Sequence, residues 1–383
     1  MAREHDIAVF GATGFTGGLV AEYLARHAPA STRWALAGRD PDRLAALRER
    51  LGADVALLAA DAADRASLHE LAHRARVVVT TVGPYLRHGE PLVAACAAAG
   101  TDYADLAGEP EFVDRMYLAH HRRALETGAR LVHACGFDSI PHDLGAQFTV
   151  EQLPEGAPLE VRAFVRVRGS ASGGTGRSAI GAFARVRHMA AAARDRSRVE
   201  PRPAGRRVRV LRTAPYHEPA VDAWAIPFPT IDPQIVTRSA RALDRYGPDF
   251  AYGHFVAVKH LPVAAAGVAG AGAALALAQL PPTRQLLECV VKAAGEGPTP
   301  QRRERSWFNV RFTGNGGGQR VACEVAGGDP GYTETAKMLA ETALCLAHDE
   351  LPATAGQVTT AAAMGPVLRA RLQGAGIRFD VVG

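Results

Sequence analysis

Lysine is almost missing from this 383-residue chain: only Lys259, Lys292 and Lys337 stand among its 44 basic residues, and the rest are arginine. The net charge of +5 is therefore an arginine charge. Arginine in place of lysine, with abundant alanine and glycine, is a composition typical of GC-rich coding. No motif of a nucleic-acid reader accompanies it, so nucleic acid is not an expected partner. Aromatic residues are also scarce, at 6%, so the core must be built from small side chains. The five cysteines, Cys96, Cys135, Cys289, Cys323 and Cys345, are odd in number and far apart. They form no C-x-x-C pair, which argues against a disulfide framework or a structural zinc site and suits a reducing cytoplasm. No metal is expected. The first apolar run begins at Ile7, which leaves no room for a signal peptide.

Long apolar runs free of charge are missing too, with one exception from Leu261 to Thr283. About 20 apolar residues can span a bilayer. This stretch, however, is mostly alanine and glycine with Pro262 near its start, so its insertion energy is weak. It reads as a buried or interfacial helix rather than a span, with peripheral membrane contact as the remaining membrane role. Catalytic motifs are absent as well. Short-chain reductases donate a proton from a Tyr-x-x-x-Lys pair, and none of the three lysines lies four residues after a tyrosine. No H-E-x-x-H, G-x-S-x-G or Walker lysine motif occurs, which removes metalloprotease, hydrolase and kinase chemistry.

What is present is a regular alternation over the first 140 residues. Ile7–Phe10, Trp34–Ala37, Val55–Ala60, Val77–Val82, Tyr103–Leu106 and Leu131–Ala134 are short apolar runs that read as buried strands. Amphipathic stretches with helix start signals separate them, such as Asp40-Pro41 and Gly89-Glu90-Pro91. Strand–helix alternation of this kind predicts an α/β fold with a doubly wound parallel sheet. Gly11-Ala12-Thr13-Gly14-Phe15-Thr16-Gly17 follows the first strand and opens the first helix, which is the context a dinucleotide-binding loop requires. Glycine lets the backbone turn tightly and approach a pyrophosphate, and the amides at the helix N-terminus stabilise its charge.

The second strand ends at Gly38-Arg39, where NAD-specific proteins place an acidic residue on the ribose hydroxyls. An arginine there, with Arg43 one helical turn on, suits the 2′-phosphate of NADP, and Asp40 is better used as a helix cap. Asp61 ends the third strand, where the adenine edge is expected. Val82-Gly83-Pro84 ends the fourth, on the nicotinamide side of the sheet edge, although Gly-Pro also makes an ordinary turn.

After Ile140-Pro141 the pattern changes. Val161–Val167, Val208–Leu211, Trp307–Phe312 and Val321–Val325 read as strands, the last two joined through Gly314–Gly318 with Asn315-Gly316 as the turn. The expectation is a second α+β domain with an antiparallel sheet, serving substrate binding or dimerisation. The boundaries are 1–140 for the nucleotide domain and 141–328 for the second. A helix and tail over 329–383 are expected to return to the first. Ser172–Gly176 could form a second anion or carbonyl site before a helix, or a plain flexible loop. Ten arginines between Arg185 and Arg212, against only Asp195 and Glu200, read as a solvated face or as a dock for an acidic carrier protein.

The segments GATGFTG, TVGPYLRHGEPLVAACAAAGTDYADLAGE from Thr81, CGFDSIPHDLG from Cys135, SGGTGRS from Ser172, GEGP from Gly295 and GGDPGYTETAKMLAETALCLA from Gly327 run through almost the whole chain. With them the chain resembles the saccharopine dehydrogenase-like oxidoreductases, and among them the trans-acting enoyl reductases. The resemblance implies a Rossmann domain, an inserted α+β domain, NADPH as hydride donor and an unsaturated acyl substrate delivered by a polyketide synthase. Enoyl reduction also needs a ligand for the enolate oxygen and a proton for the α-carbon. Tyr85 is the first candidate and His142, where the family more often carries a small polar residue, the second. Glu109 and Asp138 sit at comparable loop positions but could equally cap helices. The resulting expectations are an NADPH-dependent C=C reductase, an acyl carrier protein as partner and a homodimer as a further option. A saccharopine-type amino-acid dehydrogenase and a non-catalytic NADP-binding redox sensor are the alternatives.

Overall fold

The computed structural model describes residues 3–169, 185–228, 230–278 and 297–382. The expected Ser172–Gly176 site, the start of the GEGP segment and the end of the apolar run at Thr283 lie outside them. The chain divides into two compact units. The first comprises Met1–Phe137, Ala192–Arg196 and Tyr332–Ala375, and the second Asp138–Ala191, Ser197–Gly331 and Gly376–Gly383. The last eight residues therefore belong to the second unit, where the sequence suggests a tail returning to the first.

In the first unit β1 (His5–Phe10), α1 (Phe15–His27), β2 (Trp34–Gly38), α2 (Pro41–Leu51), β3 (Ala56–Ala59), α3 (Arg65–Arg74), β4 (Ala75–Thr80), α4 (Tyr85–His88), α5 (Glu90–Ala99), β5 (Asp102–Asp105), α6 (Pro110–Thr127) and β6 (Arg130–Val132) alternate as expected. The helix boundaries follow local chemistry. Asp40 accepts a hydrogen bond from the Arg43 amide at 3.1 Å ahead of Pro41, and Gly52 and Gly100 end α2 and α5 in the left-handed conformation. The sheet is parallel throughout, in the order Gly356–Val358, β6, β5, β4, β1, β2, β3. Its strand order reverses between β1 and β4, and a crevice at the carboxyl ends of the strands forms at such a switch point. The Thr333–His348 helix belongs to this unit and is buried along most of its length.

The second unit contains α7 (Ile140–Glu151), β7 (Leu159–Arg168), α8 (Val186–Val199), β8 (Arg207–Val210), β9 (Tyr216–Glu218), β10 (Ala223–Pro227), α9 (Asp232–Ala242), β11 (Asp249–Val258), α10 (Leu261–Ala278), α11 (Pro300–Glu304), β12 (Trp307–Gly316) and β13 (Gln319–Gly327). Residues 192–196 of α8 are assigned to the first unit. The sheet runs Arg378–Val381, β13, β12, β7, β11, β10, β9, with β8 also on β11. It is mixed rather than antiparallel, because β7 and β8 both lie parallel to β11. Long connections that carry helices permit parallel pairing. Phe164 and Phe255 stack on one face at 5.5 Å, and the ideal Cβ of a residue replacing Gly145 on α7 would lie 2.5 Å from the Phe312 ring.

One expectation is corrected here and another narrowed. Leu261, Val263 and Leu277 of α10 are exposed, at 49, 59 and 42%, so these side chains favour the interfacial over the buried reading. Among the described residues no helix is long and apolar enough to cross a membrane. The β12–β13 turn is Gly317-Gly318, since Asn315 pairs with Arg320 and Gly316 with Gln319 inside the ladder. Both turn residues have positive φ, at 56° and 77°, as a tight hairpin twisted with its strands requires. Gly317→Val is therefore expected to lower stability by about 1–2 kcal/mol through its left-handed backbone. Asn315→Ala should change it by less than about 0.5 kcal/mol. Urea midpoints of the two variants measure this, and the reverse order would return the turn to Asn315.

Candidate functional site

The glycine loop leaves β1 at the switch point. Gly11 has φ 83°, and its amide donates to the Ala37 carbonyl at 2.9 Å. The Gly14 amide donates to the Gly11 carbonyl at 3.0 Å, which closes the turn into α1. A Cβ on Gly17 would lie 2.2 Å from that carbonyl oxygen, and one on Gly11 would lie 2.7 Å from Val82 Cγ2. These two glycines are therefore fixed by contact. Gly14 is merely tight, with 3.3 Å to the Gly11 oxygen, and its role is to keep the turn bare. No side chain caps α1 at Gly14, and its first turn holds no acidic residue. Ala12, Thr13, Gly14, Phe15 and Thr16 thus surround a helix N-terminus whose partial positive charge is not answered by a carboxylate in that turn. Phe15 is half exposed and meets the Tyr332 ring edge-on at 4.9 Å.

Arg39 is exposed just beyond β2, and the Arg43 guanidinium reaches the Thr13 carbonyl at 3.5 Å across the loop. Arg43 therefore flanks the loop, and Arg39 stands exposed at the end of β2, the strand end where the ribose of a bound dinucleotide would lie. Asp61 sits at the end of β3, and its Oδ1 accepts from the Ala63 amide at 2.9 Å. That oxygen closes the turn into α3, so only part of the carboxylate is left for the expected adenine contact. Thr81 Oγ1 donates to the Gly11 carbonyl at 3.3 Å, tying the end of β4 to the loop. Val82 is half-buried behind it, and Gly83 and Pro84, joined by a cis peptide, are exposed.

Tyr85 has a different place from the one the sequence suggests. Its ring is 7% exposed, and its hydroxyl donates to the Thr80 carbonyl and accepts from the Leu106 amide, both at 3.1 Å. Burial, with Asp105 nearby, holds the phenol well above its ordinary pKa. The hydroxyl fastens β4 to the loop after β5 and is not offered as a proton donor. Glu109 behaves as a cap, accepting from the Tyr85 and Leu86 amides at 3.2 and 2.9 Å. Sequence reasoning missed Asp105, which is fully buried and receives Tyr103 Oη, the Ala107 and Ala134 amides and His133 Nδ1 at 2.7–2.9 Å. Only its place at a strand end could have flagged it.

In the second unit His142 lies on α7, 2% exposed. Its Nε2 is 3.3 Å from Asp232 Oδ1, and its ring meets that of His254 edge-on at 4.8 Å. His254 Nε2 is 3.6 Å from Asp232 Oδ2. Burial lowers His142 well below the usual histidine range and His254 to about 3, and it raises Asp232 well above the carboxylate range. An imidazolium acid at His142, as the sequence suggests, is therefore not available at neutral pH. Asp138 is also raised, to about 6, by burial. The arginine run is not one solvated face either. Arg196 is buried 3.3 Å from Asp114 and 3.9 Å from the centre of the Tyr117 ring, and Arg206 binds Asp244.

These contacts set two outcomes. Gly17→Ala should weaken NADPH binding by more than about tenfold, or about 1.4 kcal/mol, in a fluorescence titration. An unchanged dissociation constant would show that the turn tolerates the methyl group. Tyr85→Phe should cost about 1–3 kcal/mol, because the half-buried Leu106 amide loses its acceptor and the buried Thr80 carbonyl its donor. Its turnover should stay within about threefold of the parent once folded. A collapse of turnover without loss of stability would restore Tyr85 as a proton donor.

The profile of the saccharopine dehydrogenase NADP-binding domain matches residues 7–132, the span from β1 to β6. A Mycobacterium tuberculosis protein provisionally assigned as a trans-acting enoyl reductase is 41% identical, over 99% of this chain and 97% of its own length. A trans-acting enoyl reductase of Mycobacterium ulcerans is 38% identical over 98% and 97% of the two chains. Among solved structures, the apo saccharopine dehydrogenase (L-Glu forming) of Saccharomyces cerevisiae shares the fold, with a TM-score of 0.56 at 11% identity, covering 99% of this chain and 100% of that one. The chain is an NADP-dependent oxidoreductase and belongs to the trans-acting enoyl reductase family of saccharopine dehydrogenase-like proteins.

Proposed function

We propose that this protein reduces the C=C bond of an enoyl-type acyl chain presented by a polyketide synthase or a free acyl carrier protein. The observation that carries the reading is full-length similarity to proteins named trans-acting enoyl reductase, joined to the bare glycine turn at the switch point. NADPH bound there supplies the hydride. Ala12 to Thr16 hold its pyrophosphate through the turn and the α1 N-terminus, with Gly11 keeping the backbone close to Val82. Arg39, with Arg43 beside it, pairs with the 2′-phosphate. Asp61 borders the adenine, and Val82, Gly83 and Pro84 border the nicotinamide ribose. Pairing between a fixed guanidinium fork and a phosphate is bidentate and charge-assisted, which makes it the main source of preference for NADPH over NADH.

Carrier docking falls to the exposed arginines Arg187, Arg194 and Arg198 of α8, which an acidic carrier surface complements. A cytoplasmic setting, with the exposed apolar residues of α10 making a peripheral membrane contact, completes the reading.

NADPH oxidation followed across a panel of 2-enoyl thioesters on pantetheine and on acyl carrier protein, against 2-keto acids with amines, tests the proposal. Turnover of the enoyl thioesters is expected. Turnover confined to keto acids with amines would overturn it. Arg39→Ala combined with Arg43→Ala should raise the NADPH dissociation constant about tenfold or more and leave NADH binding nearly unchanged. Equal losses for both cofactors would remove the arginines from 2′-phosphate recognition.

A further inference from the structure

Three chemistry-bearing residues that no short sequence motif connects meet in the second unit. His142 comes from the first turn of α7, Asp232 from the start of α9 and His254 from the middle of β11. Each is at least nine-tenths buried, and one potential donor atom from each lies within 4.8 Å of the others. We propose that His142, Asp232 and His254 bind a divalent transition-metal ion of the zinc class, with a fourth coordination position left for water or another oxygen donor.

The separations fit a shared ion. Nitrogen and oxygen donors sit about 2.0–2.1 Å from tetrahedral zinc, so two of them lie roughly 3.3–3.4 Å apart. Here His142 Nε2 and Asp232 Oδ1 are 3.3 Å apart, and His254 Nε2 stands beside the same carboxylate, 3.6 Å from its other oxygen, Oδ2.

Direction matters more than distance. Asp232 Oδ1 is buried and accepts no hydrogen bond among the described residues, although His142 Nε2 is so close. The imidazole is therefore not aimed at the oxygen. Two donors on one tetrahedral ion show this relation, because each points at the ion and about 35° away from its neighbour. A hydrogen-bonded pair at the same distance would point at each other.

The surroundings also fit. His254 Nδ1 is 3.2 Å from the Tyr252 hydroxyl, which holds the ring with Nε2 turned toward the cluster. The Thr230 hydroxyl donates to Asp232 Oδ2, leaving Oδ1 for the ion. Outer contacts of this kind orient metal ligands and fix the histidine tautomer. Two imidazoles and one carboxylate form a donor set that suits zinc better than magnesium or calcium, which prefer oxygen. The site is wrapped by α7, α9 and β11, so the ion would be taken up during folding and exchange slowly.

The test uses the full-length protein, expressed in zinc-supplemented medium and purified without chelators. Elemental analysis should find about one zinc per chain. His142→Ser and His254→Ala should each lower the content below about a tenth of an ion, with folding checked by circular dichroism and by NADPH titration. Protein produced with cobalt chloride should show the visible absorption of tetrahedral cobalt without thiolate charge transfer. A wild-type protein without stoichiometric metal under these conditions overturns the proposal, and so does metal that survives in both variants. If the variants fail to fold, X-ray absorption at the zinc edge of the wild type decides. Two imidazoles with oxygen support the site, and sulfur in the first shell excludes it.

Discussion

The nucleotide unit depends on one short approach, that of α1 to the end of β1. The Gly11 carbonyl and the Gly17 α-carbon are so close that a single methyl group would separate the strand from the helix. Because they touch, the N-terminus of α1 stands directly over the carboxyl edge of the sheet, at the reversal between β1 and β4. The Thr81 hydroxyl and the Val82 methyl group press on the same turn from β4. Close packing thus aims the helix dipole, and the dipole makes an otherwise plain turn into an anion site.

Much of this was legible in the sequence because its signals are local. A strand, a helix start and three glycines lie within a dozen residues, and Asp40-Pro41 and Gly100 announce their caps within one turn. The features that were misread depend on partners distant in sequence. Tyr85 looks like a reactive phenol beside the cofactor loop, yet its hydroxyl is occupied by Thr80 and by Leu106, 21 residues on. Asp105 and His133 are 28 residues apart, and His142 and His254, with Asp232 between them, are 112 apart. The hairpin turn was displaced by two residues because Asn315-Gly316 is a strong turn signal, and only the ladder register shows that Gly317-Gly318 does the turning.

The scarcity of lysine has a structural counterpart. Several arginines that look like surface charge support the fold from within. Arg196 lies over the Tyr117 ring beside Asp114, Arg130 bridges to Asp102, and Arg371 binds both Asp349 and Glu341. A planar guanidinium can stack and donate in several directions at once, which an ammonium cannot. In a core poor in aromatics, such side chains add both contact area and direction.

The division of the chain also bears on how it is made. The nucleotide unit needs the Thr333–His348 helix and the Gly356–Val358 strand, and the second sheet needs Arg378–Val381 on its edge. Neither unit is complete until these late segments have been made. The first six strands emerge early but must wait for their seventh, with the face later covered by Thr333–His348 still bare. Domains usually fold as they leave the tunnel, the N-terminal one first. Here both units would mature almost together, once residues 333–381 have left the tunnel, so the nascent chain carries unfinished sheet edges until then, a period in which chaperone contact matters most.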